Sequence, residues 1–235
     1  MNVRRRHMPH QAMAGTGSGA QRVTAWAMLI AISCCLLPVS AGADGLGYDK
    51  LPPQELCGLC HGLNGISATA KFPKLAGQKK AYIEKQLSDF LAGNRTNDGG
   101  QMASIVTEIP PEKFKDVATY FSGLTPPPPA DASENTLSDE EKSLARNLFE
   151  NGRPEKGIPA CASCHQETNS DLPYAPRITA QHRDYLQKQL NDFREKNREN
   201  DATGTMPTIA AALDESEITI LATYLAATPR ARSTP

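Results

Sequence analysis

Apolar residues recur along this chain at intervals of three and four, the spacing that places side chains on one face of an α-helix. Such stripes cover residues 79–92, 183–196, 111–121 and 215–226, and a fifth helix is predicted over 139–150. No run alternates apolar and polar residues as a half-buried strand would, so the pattern predicts an all-α fold. The stripes consist of Ile83, Leu87, Phe90 and Leu91; Leu186, Leu190 and Phe193; Phe114, Val117, Ala118 and Phe121; Ile218, Leu221, Ala222 and Leu225; and Leu144 and Leu148.

Polar residues and glycines predict where these helices begin and end. Ser138 is followed three residues later by Glu141, which is the sequence of a capping box, and Asp214 stands directly before the last helix. Gly93 and Gly152 follow apolar stripes, at the place where glycine commonly ends a helix.

The helical pattern occurs twice because the sequence itself is duplicated. Segments 73–98 and 176–201 align at an offset of 103, where for example Lys85-Gln86-Leu87 matches Lys188-Gln189-Leu190. The offset is 104 at the cysteines and methionines, so one compensated single-residue insertion or deletion separates the halves. A repeat of this kind indicates tandem copies of one unit.

A proline run separates the two copies. Residues 126–129 are all proline, which fixes φ and favours an extended, semi-rigid spacer. We therefore expect a first domain over 44–125, a proline-rich acidic linker over 126–137 and a second domain over 138–235. The second half has a full helix before its cysteines, whereas Pro52 and Pro53 restrict the first half to a turn or two there.

Residues 1–43 predict an export signal that is cleaved after Ala43. Three arginines at positions 4–6 precede an apolar run over 26–37, and small residues in an A-x-A pattern end the leader. The run is shorter than the ~20 residues of a membrane-spanning helix, although an uncleaved anchor is the alternative. The leader predicts a periplasmic protein.

Removal of the leader leaves an acidic chain with 21 basic and 26 acidic residues, a formal charge of −5. A nucleic-acid-binding protein needs a basic face, so nucleic acid is not an expected partner. Two small basic clusters are either solvated surface or a docking patch for an acidic partner. They consist of Lys71, Lys74, Lys79 and Lys80, and of Arg194, Lys196 and Arg198.

The chemistry of the chain is indicated by Cys57-Gly58-Leu59-Cys60-His61, a motif typical of covalent haem attachment. The two thiols bond to the haem vinyl groups, and the adjacent imidazole can ligate the iron. The motif returns 104 residues later as Cys161-Ala162-Ser163-Cys164-His165. Two copies predict two covalently attached c-type haems, with His61 and His165 as iron ligands. No cysteine remains outside the leader for a disulfide.

The second axial ligands are predicted from the spacing of methionines. Met102 lies 41 residues after His61, and Met206 lies 41 residues after His165. These are the only methionines beyond the leader, and they keep one register while their neighbours differ. A thioether paired with imidazole raises the reduction potential and leaves no open position for oxygen or peroxide. His182 is the alternative ligand of the second iron, although we interpret it as a surface residue.

The duplicated unit resembles a class I cytochrome c domain, and residues 51–228 resemble the di-haem cytochrome c4 family. The likeness is carried by residues 57–65, 72–78 and 157–161 around the attachment motifs. It implies two tandem class I cytochrome c domains, each a small helical fold wrapped round a covalently bound haem.

The resemblance also implies a role for two prolines. The carbonyl groups of Pro73 and Pro176 would accept a hydrogen bond from Nδ1–H of the ligand histidines. The chain departs from the family pattern at Gln166, where glycine is usual, and at 179–181, where Thr-Ala-Gln replaces Ala-Gly-Gln.

These observations predict an electron carrier with redox proteins as partners, no catalytic residue and no small-molecule substrate. By resemblance, its donor is a quinol-oxidising complex or a dehydrogenase, and its acceptor is a terminal oxidase. The alternative is a haem subunit bound permanently to a dehydrogenase that oxidises sulfide, sulfite or an alcohol. A di-haem peroxidase or a thiosulfate-oxidising cytochrome would need an open iron position or a fifth cysteine, which the sequence beyond the leader does not offer.

Overall fold

The computed structural model describes residues 51–131, 136–166 and 172–230, which belong to one compact unit. The predicted export signal lies outside these residues. Within them the chain forms nine α-helices and no β-strand, apart from one isolated bridge between Arg153 and Ile158. The all-α prediction is therefore confirmed. The helices are α1 Pro53–His61, α2 Lys80–Leu91, α3 Gln101–Val106, α4 Phe114–Gly123, α5 Asp139–Asn151, α6 Ala162–His165, α7 Arg183–Arg194, α8 Thr205–Ala212 and α9 Glu215–Ala227.

Each half buries its own apolar core. In the first half α2 packs on α3 and α4, and Phe121 is fully buried at the centre. In the second half α7 packs on α8 and α9, while α5 packs on α9 around the buried Leu148 and Ile218. The predicted caps form as well, since Ser138 with Glu141 makes a complete capping box.

Two leucines of the predicted stripes lie at the surface instead of in the core. Leu91 is 41% exposed because it is the last residue of α2. Leu144 is 38% exposed because α5 turns Ala145, Leu148 and Phe149 toward the core. Periodicity favoured the larger leucine, whereas the small Ala145 is the residue that faces the core.

Helices α3 and α8 were not predicted from the sequence, although they carry Met102 and Met206. They are only six and eight residues long, too short for an apolar stripe to repeat. The predicted asymmetry before the cysteines is present among the described residues. Helix α1 has nine residues and runs directly through the first attachment motif, whereas α5, with 13 residues, ends well before the second.

The two halves are joined by polar side chains from equivalent positions of the repeat. Nη2 of the buried Arg95 donates to Tyr185 Oη at 3.1 Å and to Gln189 Oε1 at 3.0 Å. With the halves exchanged, Nη2 of the buried Arg198 donates to Tyr82 Oη at 3.3 Å and to Gln86 Oε1 at 3.1 Å. Such buried networks are stable only when every donor has an acceptor, and here each half provides acceptors for the other.

Several basic residues that the sequence presented as surface charges belong to this interface. Arg198 is buried in the network, and Lys74 is buried with Nζ 3.0 Å from the carbonyl oxygen of Ala180. Lys79 Nζ donates to the carbonyl oxygen of Leu172 at 3.0 Å. The interpretation of Lys74 and Arg198 as solvated or docking residues is therefore wrong, since their charged groups form hydrogen bonds between the halves.

A backbone difference between the halves gives a test of this packing. Gly77 and its counterpart Ala180 both have positive φ, at 65° and 52°. We expect Gly77→Ala to lower the free energy of unfolding by about 1–2 kcal/mol because a side chain is strained there, and because the new Cβ would lie 2.9 Å from Pro126 Cγ. Chemical unfolding of the haem-loaded protein measures the loss.

Ala180→Gly is the matched control. It relieves the same strain and adds conformational freedom to the unfolded chain, so stability should change by less than about 1 kcal/mol. Equal losses in the two variants would show that φ does not determine the effect.

Candidate haem sites

Each attachment motif ends in a buried histidine whose ring is fixed by a carbonyl group. His61 Nδ1 lies 2.9 Å from the carbonyl oxygen of Pro73, and His165 Nδ1 lies 2.8 Å from that of Pro176. A carbonyl oxygen can only accept, so Nδ1 carries the proton and donates it. Nε2 of each ring is left with its lone pair, which is the atom that can ligate iron.

The burial of these histidines favours their neutral form. Desolvation lowers the pKa of both imidazoles below its usual value, and this outweighs the opposite effect of the proline carbonyls. A neutral imidazole is the form that binds a metal. Both rings are therefore in the tautomer and the charge state that iron ligation requires.

Among the described residues, the four cysteines of the motifs form no disulfide. Cys57 is buried on α1 whereas Cys60 is exposed on the same helix, and burial raises the pKa of Cys57 to about 11. Burial likewise raises the pKa of Cys161, to about 11. In each half, two cysteine thiols beside a buried imidazole are the donor set that fits a c-type haem, and these residues would hold it.

The methionines are held by an aspartate that accepts a hydrogen bond from their own backbone. Met206 N donates to Asp201 Oδ2 at 2.6 Å, and Met102 N donates to Asp98 Oδ2. Met102 also packs, partly buried, against the first core. The equivalent residues of the repeat thus hold each methionine in the same way.

We expect Asp201→Ala to loosen the loop that holds Met206, the predicted ligand of the second iron. Loss of a side chain that caps backbone N–H groups costs about 1 kcal/mol, which corresponds to a severalfold shift toward the open loop. The measurement is the long-wavelength charge-transfer band that ferric haem shows when methionine is bound, followed during thermal titration. Asp98→Ala should give the same loss in the first half, and an unchanged band in both variants would contradict this role.

The same aspartate gives the sign of a pH effect. Burial raises the pKa of Asp201, but hydrogen bonds from Met206 N–H and Thr203 outweigh it and hold the pKa below its usual 3.8. Because the pKa of Asp201 is lower in the folded state, its carboxylate stabilises the native loop above pH ~4. This stabilisation is lost as the pH falls further. The loop that holds Met206, the predicted ligand of the second iron, should therefore loosen in acid.

His182 is not a free surface residue. It is half-buried at the N-terminus of α7, and its Nε2 lies 2.8 Å from Ser67 Oγ in the first half. The surface interpretation is corrected by this contact between the halves. Local sequence could not reveal it, because Ser67 is 115 residues away.

Sequence reasoning also missed the contacts that Gln78 and Gln181 make between the halves. Both are buried and reach the backbone next to the prolines of the opposite half. Their identity in the two copies was recognised as a sign of duplication. The same identity could have indicated a contact between the copies, because each copy must meet its partner with matching groups.

Among the residues that the structure describes, no helix combines the length and apolar character that crossing a membrane requires.

A family model described as Cytochrome c matches residues 144–229. Cytochrome c4 from Stutzerimonas stutzeri is 33% identical over 211 residues, which cover 84% of this chain and 95% of that protein. The thiosulfate dehydrogenase electron acceptor of Stutzerimonas stutzeri strain A1501 is 32% identical over 177 residues, covering 74% and 80%. The crystal structure of reduced recombinant cytochrome c4 from Pseudomonas stutzeri matches with a TM-score of 0.63 and 34% identity, covering 74% of this chain and 96% of that one.

The likenesses to the two cytochromes c4 extend over both copies of the repeat and agree with the paired attachment motifs. The chain therefore has the fold of two tandem cytochrome c domains, carries two covalently attached c-type haems and transfers electrons to and from other redox proteins. Because a third of the aligned residues are identical over almost the whole length of a curated relative, this chain belongs to the cytochrome c4 family.

Proposed function

We propose that this protein is an exported, periplasmic carrier that takes single electrons from a quinol-oxidising complex or a dehydrogenase and delivers them to a terminal oxidase. The observation that carries the proposal is the repetition of one candidate ligand set, held by equivalent residues, in both halves. Each set has a buried neutral histidine held by a proline carbonyl and a methionine held by an aspartate. A closed set suits a carrier, because no coordination position remains for a substrate.

The chain's own residues have three tasks in this function. We propose that Cys57 and Cys60, and Cys161 and Cys164, would hold the two haems covalently, while His61 with Met102 and His165 with Met206 would ligate the two irons. When bound, the haem irons supply one-electron Fe(III)/Fe(II) chemistry. Histidine–methionine ligation raises the potential, so the protein accepts electrons from reducing donors.

The two haem sites correspond to two proposed domains. We propose an export signal over 1–43, a first domain over 44–125, a linker over 126–137 and a second domain over 138–235. Support comes from the separate apolar cores of the two halves. The start of the linker is packed on the protein, because Pro127 is buried and Ala130 N donates to the carbonyl oxygen of Ala226 at 2.8 Å.

A native purification from the periplasm tests the carrier proposal. Haem absorbance is followed through size-exclusion chromatography, and the haem fraction is then mixed with host membranes under air. We expect a particle of about the mature mass that is oxidised by the membranes. Haem found only in the cytoplasmic fraction, or a free particle that membranes leave reduced, would overturn the proposal.

A second candidate is a haem subunit attached to a dehydrogenase. One relative is named as the electron acceptor of a thiosulfate dehydrogenase. In addition, the first attachment site has an apolar edge, where Leu59 is 62% and Leu63 is 55% exposed. The second site has Ser163 where the first has Leu59, so the exposed Leu59 is a feature of the first site that could meet a protein partner. Co-elution with a stoichiometric second polypeptide in the same chromatography would support this candidate instead.

A further inference from the structure

One contact between the halves reaches the backbone directly after Pro73 and Pro176, and it is made by Gln78 and Gln181, which are equivalent residues of the two copies. Gln181 Oε1 accepts from Lys74 N at 2.8 Å, and Gln181 Nε2 donates to Lys74 O at 2.9 Å. Gln78 Oε1 accepts from Arg177 N at 2.8 Å, and Gln78 Nε2 donates to Arg177 O at 2.9 Å. Each glutamine is thus bonded twice to the backbone of one residue in the opposite half.

The two amide groups are held in one orientation. Each Oε1 also accepts from the next backbone N–H of its own half, from Lys79 N at 2.9 Å and from His182 N at 3.0 Å. An oxygen with two donors and a nitrogen with a carbonyl acceptor leave no alternative placement of the amide. Both side chains are buried, so water does not compete for these bonds.

The peptide group that each glutamine contacts is the one that holds the histidine. Lys74 N–H and Pro73 C=O belong to a single peptide unit, and this carbonyl accepts from His61 Nδ1 at 2.9 Å. Arg177 N–H and Pro176 C=O form the equivalent unit, whose carbonyl accepts from His165 Nδ1 at 2.8 Å. A continuous chain of hydrogen bonds therefore runs from each histidine through one peptide plane to the other half.

Hydrogen bonds in such a chain polarise one another. An acceptor on the peptide N–H moves electron density toward the carbonyl oxygen, which strengthens its bond to imidazole Nδ1–H. A stronger bond at Nδ1 makes Nε2 a better electron donor to a metal, and this favours the oxidised iron. The effect is carried entirely by the chain's own groups.

We propose that Gln181 and Gln78 are positioning residues that act across the domain interface. Gln181 in the second half strengthens electron donation by His61, and Gln78 in the first half strengthens electron donation by His165. The reduction potential of each domain is therefore set in part by a side chain of the other domain. This inference rests on the proposed ligation of the two irons by His61 and His165.

The test is a redox titration of the full di-haem protein followed by NMR, with the haem signals assigned to their domains. Gln181→Leu should raise the reduction potential of the first haem and shift its reduction equilibrium severalfold. The potential of the second haem should not change. Gln78→Leu should raise the reduction potential of the second haem and leave that of the first haem unchanged. The Nδ1–H resonance of the histidine in the affected domain should move upfield, which a change in potential alone would not require.

Gln181→Glu gives a change of the opposite sign. Its carboxylate still accepts from Lys74 N–H and adds negative charge, so the potential of the first haem should fall. This variant also keeps the test available if the leucine variant fails to assemble. Tyr185→Phe is the matched control, because it removes another bond between the halves, from Arg95 Nη2 to Tyr185 Oη at 3.1 Å, without changing the charge and without touching either histidine peptide. It should leave both potentials unchanged.

Equal shifts of both haem potentials in Gln181→Leu and Tyr185→Phe would overturn the inference, since they would reflect general loosening of the interface. A shift confined to the haem of the mutated half, or no shift at all, would overturn it too. The spectra of the unsubstituted protein report histidine–methionine ligation independently. If they show that ligation, a missing shift contradicts this inference alone; if they do not, the ligand assignment itself fails.

Discussion

Met102→Leu is expected to abolish thioether ligation at the first haem while the second stays intact. Leucine keeps the approximate volume of the side chain that packs against the first core, so the loss reports ligation instead of packing. Half of the charge-transfer band of the oxidised protein should disappear. The potential of that haem should fall by on the order of 0.1 V, because axial ligand identity is a main determinant of haem potential.

Met206→Leu should remove the other half of the band, and the double variant should remove all of it. Ile105→Leu is the matched control, since Ile105 lies on the same helix as Met102 and packs against the same core. This variant should leave the band complete. An unchanged spectrum in Met102→Leu would contradict the ligand assignment and would reopen the possibility of an open, peroxidase-like site.

Arg95→Met should weaken the interface between the halves. The buried guanidinium group donates to Gln86 and Asn97 in its own half and to Tyr185 and Gln189 in the other. Methionine keeps an unbranched side chain over the Phe90 ring but offers no donor, so buried acceptors lose a partner. We expect the free energy of unfolding to fall by about 3 kcal/mol, given the cost of hydrogen bonds lost from a charged group.

Chemical unfolding of the haem-loaded protein, followed by haem absorbance and by helical signal, measures this loss. The two probes should separate in Arg95→Met, because the halves then unfold with less coupling. Arg194→Met is the control, since Arg194 forms a surface ion pair with Glu215 inside the second half. Exposed ion pairs contribute about 0–1 kcal/mol. Similar losses in the two variants would show that the interface network does not couple the halves.

The helical stripes were predictable because each depends on contacts between residues three and four apart. Leu87, Phe90 and Val117 lie in the core as periodicity indicated. The positions of Leu91 and Leu144 were not predictable in this way. Whether a side chain at the edge of a stripe is buried depends on the angle at which a neighbouring helix packs, and the residue pattern of one helix does not contain that angle.

The residues of the haem sites were likewise predictable where they depend on local spacing and not predictable where they depend on tertiary contacts. The attachment motifs, the methionine register and the repeat are readable because they depend on covalent spacing within one segment. The aspartates that hold the methionines were visible only as repeated residues, since their bonds depend on the local turn. Pro73 and Pro176 were expected from the family resemblance, and their carbonyls lie 2.9 Å and 2.8 Å from the histidine rings.

The sequence by itself determined that this protein is helical, duplicated and provided with two haem attachment motifs and two methionines in one register. Only the tertiary structure decided how the copies meet. It placed Lys74 and Arg198 in the interface, paired His182 with Ser67, and joined Gln78 and Gln181 to the histidine peptides of the opposite half. These contacts link residues about a hundred positions apart, and their partners are fixed by the packing of two folded surfaces, which no local pattern of residues records.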